Sequence, residues 1–349
     1  GYSPVLSISA VLLLDGCFAL SGALGTPVIA GLQRPLGLTP ETVSRTYAIA
    51  GIAVLCSGVV AMAFIYRGLA REDGRKAHRA GWILFFALLV PYAASVAWLH
   101  ELAGLVAPLI MAGIAYAFLF KSKRLHWRPW LPYHLLLVLL ILPKLIQPLE
   151  AILEYRWDVD SLFGTPVSTG LQPLRSPLIP FLVAGCFALW RSRSRVVDLA
   201  PVLRKTGTVF VILFPSLAIT QLMIHSGGTW PSMVDAISTV FSQAGPAYKA
   251  ISPLVGVTGS FMTGSTTVSN VIFGPVQFES AATLGYPAAV ILGLQLAGAS
   301  IGNAICLFNI IAAAAVVGLK HYAPILKVNL LPVLLGSLAC SICGYLFLL

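Results

Sequence analysis

The chain alternates long apolar runs with short polar breaks, and the lengths of the runs decide its class. A helix needs about 20 apolar residues to cross the hydrocarbon core of a bilayer. Residues 46–66, 81–98, 102–120, 131–149, 177–190, 206–223, 287–319 and 328–349 form runs near or above that length, and each predicts a membrane helix. Residues 4–32 are also apolar, but Asp15-Gly16 and Gly25-Thr26-Pro27 predict interruptions there. The run 287–319 is too long for one ordinary span, and Gly298, Gly302 and Asn303 predict a break near its middle.

One segment departs from the pattern. Residues 252–270, SPLVGVTGSFMTGSTTVSN, are rich in Gly, Ser and Thr, yet apolar Ile251 precedes them and Val271-Ile272-Phe273 follow. Irregular backbone at membrane depth survives only where protein buries it or where it lines a wet cavity. The segment therefore predicts a broken helix or re-entrant hairpin that offers backbone and hydroxyl groups to a polar solute, as in the midplane sites of secondary transporters.

A faint internal repeat points the same way. Residues 28–33 parallel 271–277 with one insertion, and Leu36-Gly37 and Ala50-Gly51 are echoed by Leu284-Gly285 and Ala297-Gly298. The expected fold is all-α: a polytopic transmembrane helical bundle with two re-entrant or broken-helix segments from an internal repeat. The expected division gives 1–66 to the first repeat, 67–205 to helices joined by basic loops, and 206–349 to the second repeat, with a hairpin at 251–285, a broken helix at 287–319 and a terminal helix. Counting spans gives 46–66 and 287–319 the same direction across the membrane. An inverted repeat requires opposite directions, so either a span is miscounted, with residues 230–244 the candidate for a further membrane segment, or the hairpins do not have that symmetry.

Composition fixes the membrane setting. Of 349 residues, 58% are apolar and 10% charged, against roughly 25% charged in a soluble protein. The net charge of +10 does not point to nucleic acid, because most Lys and Arg fall in three short clusters between apolar spans: 67–79, 121–128 and 191–205. Lys and Arg favour cytoplasmic loops. Even numbers of spans separate the clusters, so one orientation places all three in the cytoplasm and leaves 100–101 and 154–176 outside. The chain opens on Gly1 in apolar sequence without a charged leader region, which predicts the C-terminal part of a longer protein. The six cysteines, Cys17, Cys56, Cys186, Cys306, Cys340 and Cys343, all lie in apolar runs and read as helix-packing thiols.

Familiar short motifs dissolve on inspection. Residues 259–266 nearly spell a phosphate loop, but Ser265 stands where its lysine belongs. Residues 298–302 match GxSxG without a strand-turn-helix setting or a His–Asp pair, and small residues that permit close helix contact explain them. Cys340 and Cys343 sit in an apolar helix with no His or acidic neighbour, so no metal or cofactor is expected. Charges inside a membrane are costly and mark function by default. Asp15, inside an apolar run, and Glu279, just beyond the hairpin segment, are the proton-coupling candidates. A helix cap for Asp15 and an interfacial position for Glu279 are the plainer readings. The Asn270 and Asn303 amides, each at a break, offer donors and acceptors to a shared site.

These residues carry a resemblance. SPLVGVTGSFMTGSTTVSNVIFGPVQ, LGLQLAGASIGNAICLFNIIAAAAVVGL and the early SGALGTPVIAGL resemble the lactate permease family. Ser21 replaces the Phe of that family's FGAxGTP, and Ala304 replaces the hydrophobic residue after its Gly-Asn pair. The resemblance implies a transporter of small 2-hydroxymonocarboxylates such as lactate and glycolate, moving with a proton (or sodium) across the bacterial plasma membrane in a multi-pass protein. It also implies a fold with a scaffold and a moving domain carrying two hairpins, and a homodimer is among the expected partners. Gly25, Thr26, Pro27, Thr263, Gly264, Ser265, Thr266, Thr267, Ser269, Asn270, Gly302 and Asn303 are the substrate-binding candidates. Helix N-termini would meet the carboxylate, with no fixed arginine. A cation/proton antiporter or another organic-anion transporter is the alternative. An intramembrane enzyme would need a nucleophile–base or metal set, which is not apparent.

Overall fold

The computed structural model describes residues 2–73, 78–104, 106–110, 113, 130–146, 178–192 and 198–347, with 155, 157–159, 169–171, 173, 174 and 176 between them. It is built of helices, in two compact units: Gly1–Leu119 with Thr206–Leu349, and Phe120–Lys205. Among the described residues, Pro4–Ser21, Pro40–Arg71, Ala288–Ile305 and Ala323–Leu346 are long and apolar enough to cross a membrane.

The first unit opens with α1 (Pro4–Phe18), capped by the Ser3 hydroxyl on the amide of Leu6. Asp15-Gly16 does not interrupt it. Gly16 instead lets the backbone of Ile301 approach, since a methyl group there would lie 3.3 Å from Ile301 Cα. The break falls later, at the 3-10 turn Ala19–Ser21. Tyr92 holds that turn: its hydroxyl donates to the Phe18 carbonyl and accepts from Ser21 Oγ, both at 2.8 Å. A second irregularity follows in α2 (Gly22–Val28), where Gly25 takes φ +78°, a region open to glycine, and a π segment (Ile29–Gln33) and the short α3 (Arg34–Leu36) follow. The expected interruption at Gly25-Thr26-Pro27 is thus present. Two long helices come next, α4 (Pro40–Asp73) and α5 (His78–Leu99).

In the second unit, α6 (Leu131–Leu145) packs on α7 (Leu178–Ser192), and β1 (Trp157–Val159) pairs antiparallel with β2 (Thr169–Leu171). The expected span 102–120 and the three basic clusters lie partly outside the described residues.

The first unit resumes with α8 (Ala200–Ile224), which begins just ahead of it, and α9 (Met233–Ser242). Ten residues rise about 15 Å, half the hydrocarbon thickness, so the 230–244 segment holds no full span. Then come α10 (Tyr248–Thr263), α11 (Thr266–Thr283), α12 (Ala288–Gly302), α13 (Leu307–Val316) and α14 (Ala323–Leu346). Every residue of α12 from Ala289 to Gly302 is buried. A helix that is hydrophobic all round belongs at the centre of a core, and α12 packs against α10, α11, α4 and α14. The helix is continuous through Gly298. The break sits after a 3-10 turn at Asn303–Ile305, where Cys306 is extended.

Candidate functional site

The 252–270 segment is a helical hairpin with a two-residue turn. Gly264 ends α10 at φ +73° and its amide bonds the Ser260 carbonyl at 2.8 Å; Ser265 is extended and caps α11 with its hydroxyl on the amide of Val268. Irregular backbone is therefore confined to the tip. Most of the glycines serve packing. A methyl group at Gly256 would collide with the backbone of Gln295 and Ala299, one at Gly298 with Pro253, and one at Gly302 with Val257. The hairpin and the central helix cross with their backbones in contact, which only glycine permits.

The hairpin tip faces the break in the central helix. A methyl group at Gly264 would lie 3.1 Å from Cys306 Sγ and 3.5 Å from Phe308 Cβ. The amide N–H of Asn303 turns to the carbonyls of Ser300 and Ile301, so the Ala299 carbonyl lacks its helical donor. Two hairpin hydroxyls supply the want: Ser260 Oγ and Thr266 Oγ1 both donate to Ala299 O. Asn303 Nδ2 then donates to Thr266 Oγ1 at 2.8 Å. Asn303 Oδ1 is buried and has no hydrogen-bond partner. An unmet buried acceptor costs about 1–3 kcal/mol.

The first broken segment meets the same helix one turn on. Asn270, at i+4 from Thr266, donates from Nδ2 to the Pro27 carbonyl at 2.9 Å. Gly31 lies against Asn270 Cβ and the Thr267 carbonyl. Asn270 Oδ1 accepts from Gln295 Nε2, which also reaches Ser269 Oγ. Gln295 Oε1 accepts from Gln277 Nε2 at 2.8 Å, and Gln277 Oε1 accepts from the Tyr248 hydroxyl at 2.6 Å. This fully buried relay joins α10, α11 and α12 to the Pro27 backbone. Sequence reasoning did not single out Tyr248, Gln277 or Gln295. The signal available was two glutamines in apolar helices, where polar side chains commonly bond between helices.

The candidates thus divide. Thr263, Gly264, Ser265 and Thr267 are half-buried at the tip; Thr266, Gly302 and Asn303 are buried beside it. Thr263 Oγ1 donates to Gly259 O at 2.8 Å and so is committed within its own helix. Ser269 and Asn270 are fully enclosed and bonded to protein groups. Gly25 and Pro27 are buried and Thr26 half-buried. Glu279 lies 13 residues beyond Thr266, about 20 Å along α11 by helical rise, and is half-buried. Asp15 is exposed, although its neighbour Gly16 accepts a 2.6 Å hydrogen bond from Ser300 Oγ of the central helix. Among the described residues, no group of three or more His, Cys, Asp or Glu is placed to hold a metal ion.

Comparison with known proteins bears on what this geometry serves. Residues 1–348 match the family model for L-lactate permease. The chain is similar to a putative L-lactate permease of Haemophilus influenzae, 33% identical over 199 residues that cover 55% of this chain and 37% of that protein. It is similar to an L-lactate permease of Halalkalibacterium halodurans, 23% identical, covering 91% of this chain and 66% of that protein. An L-lactate permease of Streptococcus iniae is 34% identical over 87 residues, covering 25% of this chain and 17% of that one. The chain thus spans less than two-thirds of the length of each of these relatives. No solved structure matches it.

Proposed function

We propose, from the premise that this chain belongs to the L-lactate permease family of integral membrane proteins, that it forms the substrate-translocating part of a secondary transporter. Its solute is a small 2-hydroxymonocarboxylate, lactate or glycolate, carried with a proton across the bacterial plasma membrane. The observation that carries this reading is the meeting of the hairpin tip with the break after Gly302, tied by Asn303 and Thr266. The N-terminus of α11 directs the positive end of a helix dipole at that point, which suits a carboxylate. The Thr267 and Ser265 hydroxyls stand half-buried beside it. Gly25-Thr26-Pro27 closes the arrangement from the first repeat, and Asn270 fixes it there through the Pro27 carbonyl. With no fixed arginine required, the anion is held by amides and hydroxyls and can leave when the site opens.

Residues 1–66 and 206–349 then act as two repeats that share one site. Asp15 is the proton carrier in this reading and Glu279 a bystander near the far end of α11. The adjoining Gly16 touches the central helix, whose end forms the site. The test is counterflow of labelled L-lactate by the complete protein in proteoliposomes preloaded with unlabelled lactate. Transient accumulation of label supports the reading, and its absence from protein shown to be folded and inserted rejects it.

A further inference from the structure

We infer that Asn303 is the specificity residue that reads the 2-hydroxyl of the solute, by accepting its hydrogen bond at Oδ1. The inference rests on the transport reading above and adds which atom discriminates.

The direction of the Asn303 amide follows from its neighbours. Thr266 has one hydroxyl hydrogen, and it is directed to the Ala299 carbonyl. Toward Asn303, Thr266 Oγ1 therefore acts only as acceptor, and the atom facing it must be Nδ2. Oδ1 is left as an acceptor with no donor, in a residue only 8% exposed. Asn270 cannot play this part, because Nδ2 and Oδ1 are both bonded to protein groups.

A ligand that completes the site must then do two things. It must accept hydrogen bonds at the N-terminus of α11, as a carboxylate does. It must also donate one to Asn303 Oδ1, as a hydroxyl on the adjacent carbon does. An acid with no hydroxyl leaves Oδ1 unmet. A 2-oxo acid of the same size sets one acceptor against another. Sites built to bond a hydroxyl reject analogues that lack it more strongly than apolar pockets reject a missing methylene.

The test is exchange of labelled L-lactate by the complete protein in proteoliposomes, competed by glycolate, pyruvate and propionate. Glycolate should compete like lactate, while pyruvate and propionate should need about tenfold higher concentrations or more. In Asn303→Ala the preference for lactate over propionate should collapse to within about threefold, through weaker competition by hydroxy acids rather than stronger competition by propionate. The wild-type comparison stands whether or not that variant folds. Equal competition by lactate, pyruvate and propionate overturns the inference, as does an Asn303→Ala protein that keeps the full preference. Either result leaves the transport reading intact; absence of any lactate exchange removes that reading, and the inference with it.

Discussion

The side-chain amide of Asn270 donates to the main-chain carbonyl of Pro27, at 2.9 Å, across 243 positions of sequence. This bond joins the first broken segment to the hairpin at a point where both elements are buried. Because the Asn270 carbonyl is also taken by Gln295, the residue acts as a clamp between segments. Asn270→Leu should leave the buried Pro27 carbonyl unmet, at about 1–3 kcal/mol, and leave Gln295 Nε2 with Ser269 Oγ as its acceptor in place of two. Lactate exchange should be lost and the melting temperature in detergent lowered, with membrane insertion retained. Normal exchange by this variant at equal expression would show that the clamp is dispensable.

Pro275 lies inside the continuous helix α11 and deprives it of one main-chain donor. It has no N–H to offer the Val271 carbonyl four residues earlier, and Thr220 Oγ1 of α8 donates to that carbonyl at 3.1 Å instead. Thr220→Val keeps the shape and removes the donor. The expected result is a loss of about 1–3 kcal/mol, read as a lower melting temperature. An unchanged melt would mean that another group meets the Val271 carbonyl.

Gly298 and Gly207 make a matched pair. A methyl group at Gly298 would meet the Pro253 backbone, while Gly207, on an exposed part of α8, has open space around it. Gly298→Ala should destabilise the protein by about 1–3 kcal/mol through overpacking. Gly207→Ala should be neutral or stabilising by about 0.5–1 kcal/mol, since alanine favours helix. Equal melts for the two variants would contradict the close crossing of α10 and α12.

Asp15 separates two mechanisms. If it carries the coupling proton, Asp15→Asn should abolish lactate accumulation driven by a pH gradient and preserve lactate exchange, which needs no net proton movement. If it only decorates an exposed face of α1, neither assay should change. Accumulation that survives the substitution would move the proton to another carboxylate.

Much of this arrangement is legible in the sequence, because its signals are local. The apolar runs, the αL glycine at the hairpin tip and the break following Gly302-Asn303 all follow from residues adjacent in the chain. What failed to be legible depends on which faces of two helices meet. Asp15-Gly16 and Gly298 look like breaks, yet each lies in continuous helix, because the space their glycines leave is filled by a neighbouring backbone. The hydroxyl of Ser269 looks like a solute ligand, yet it bonds the Gly256 carbonyl. The Tyr248–Gln277–Gln295 relay requires three helices in one rotational register, which no single helical period specifies.

The most direct measurement is protection of a cysteine at the hairpin tip. Thr267 is half-buried there, and Cys186 is the one exposed native cysteine among the six. In a Cys186→Ser background that still exchanges lactate, Thr267→Cys should react with a thiol reagent, and saturating L-lactate should slow that reaction at least several-fold while propionate at the same concentration should not. A reaction rate indifferent to lactate, in protein that continues to exchange it, would place the solute somewhere other than the meeting of the hairpin tip and the Asn303 break.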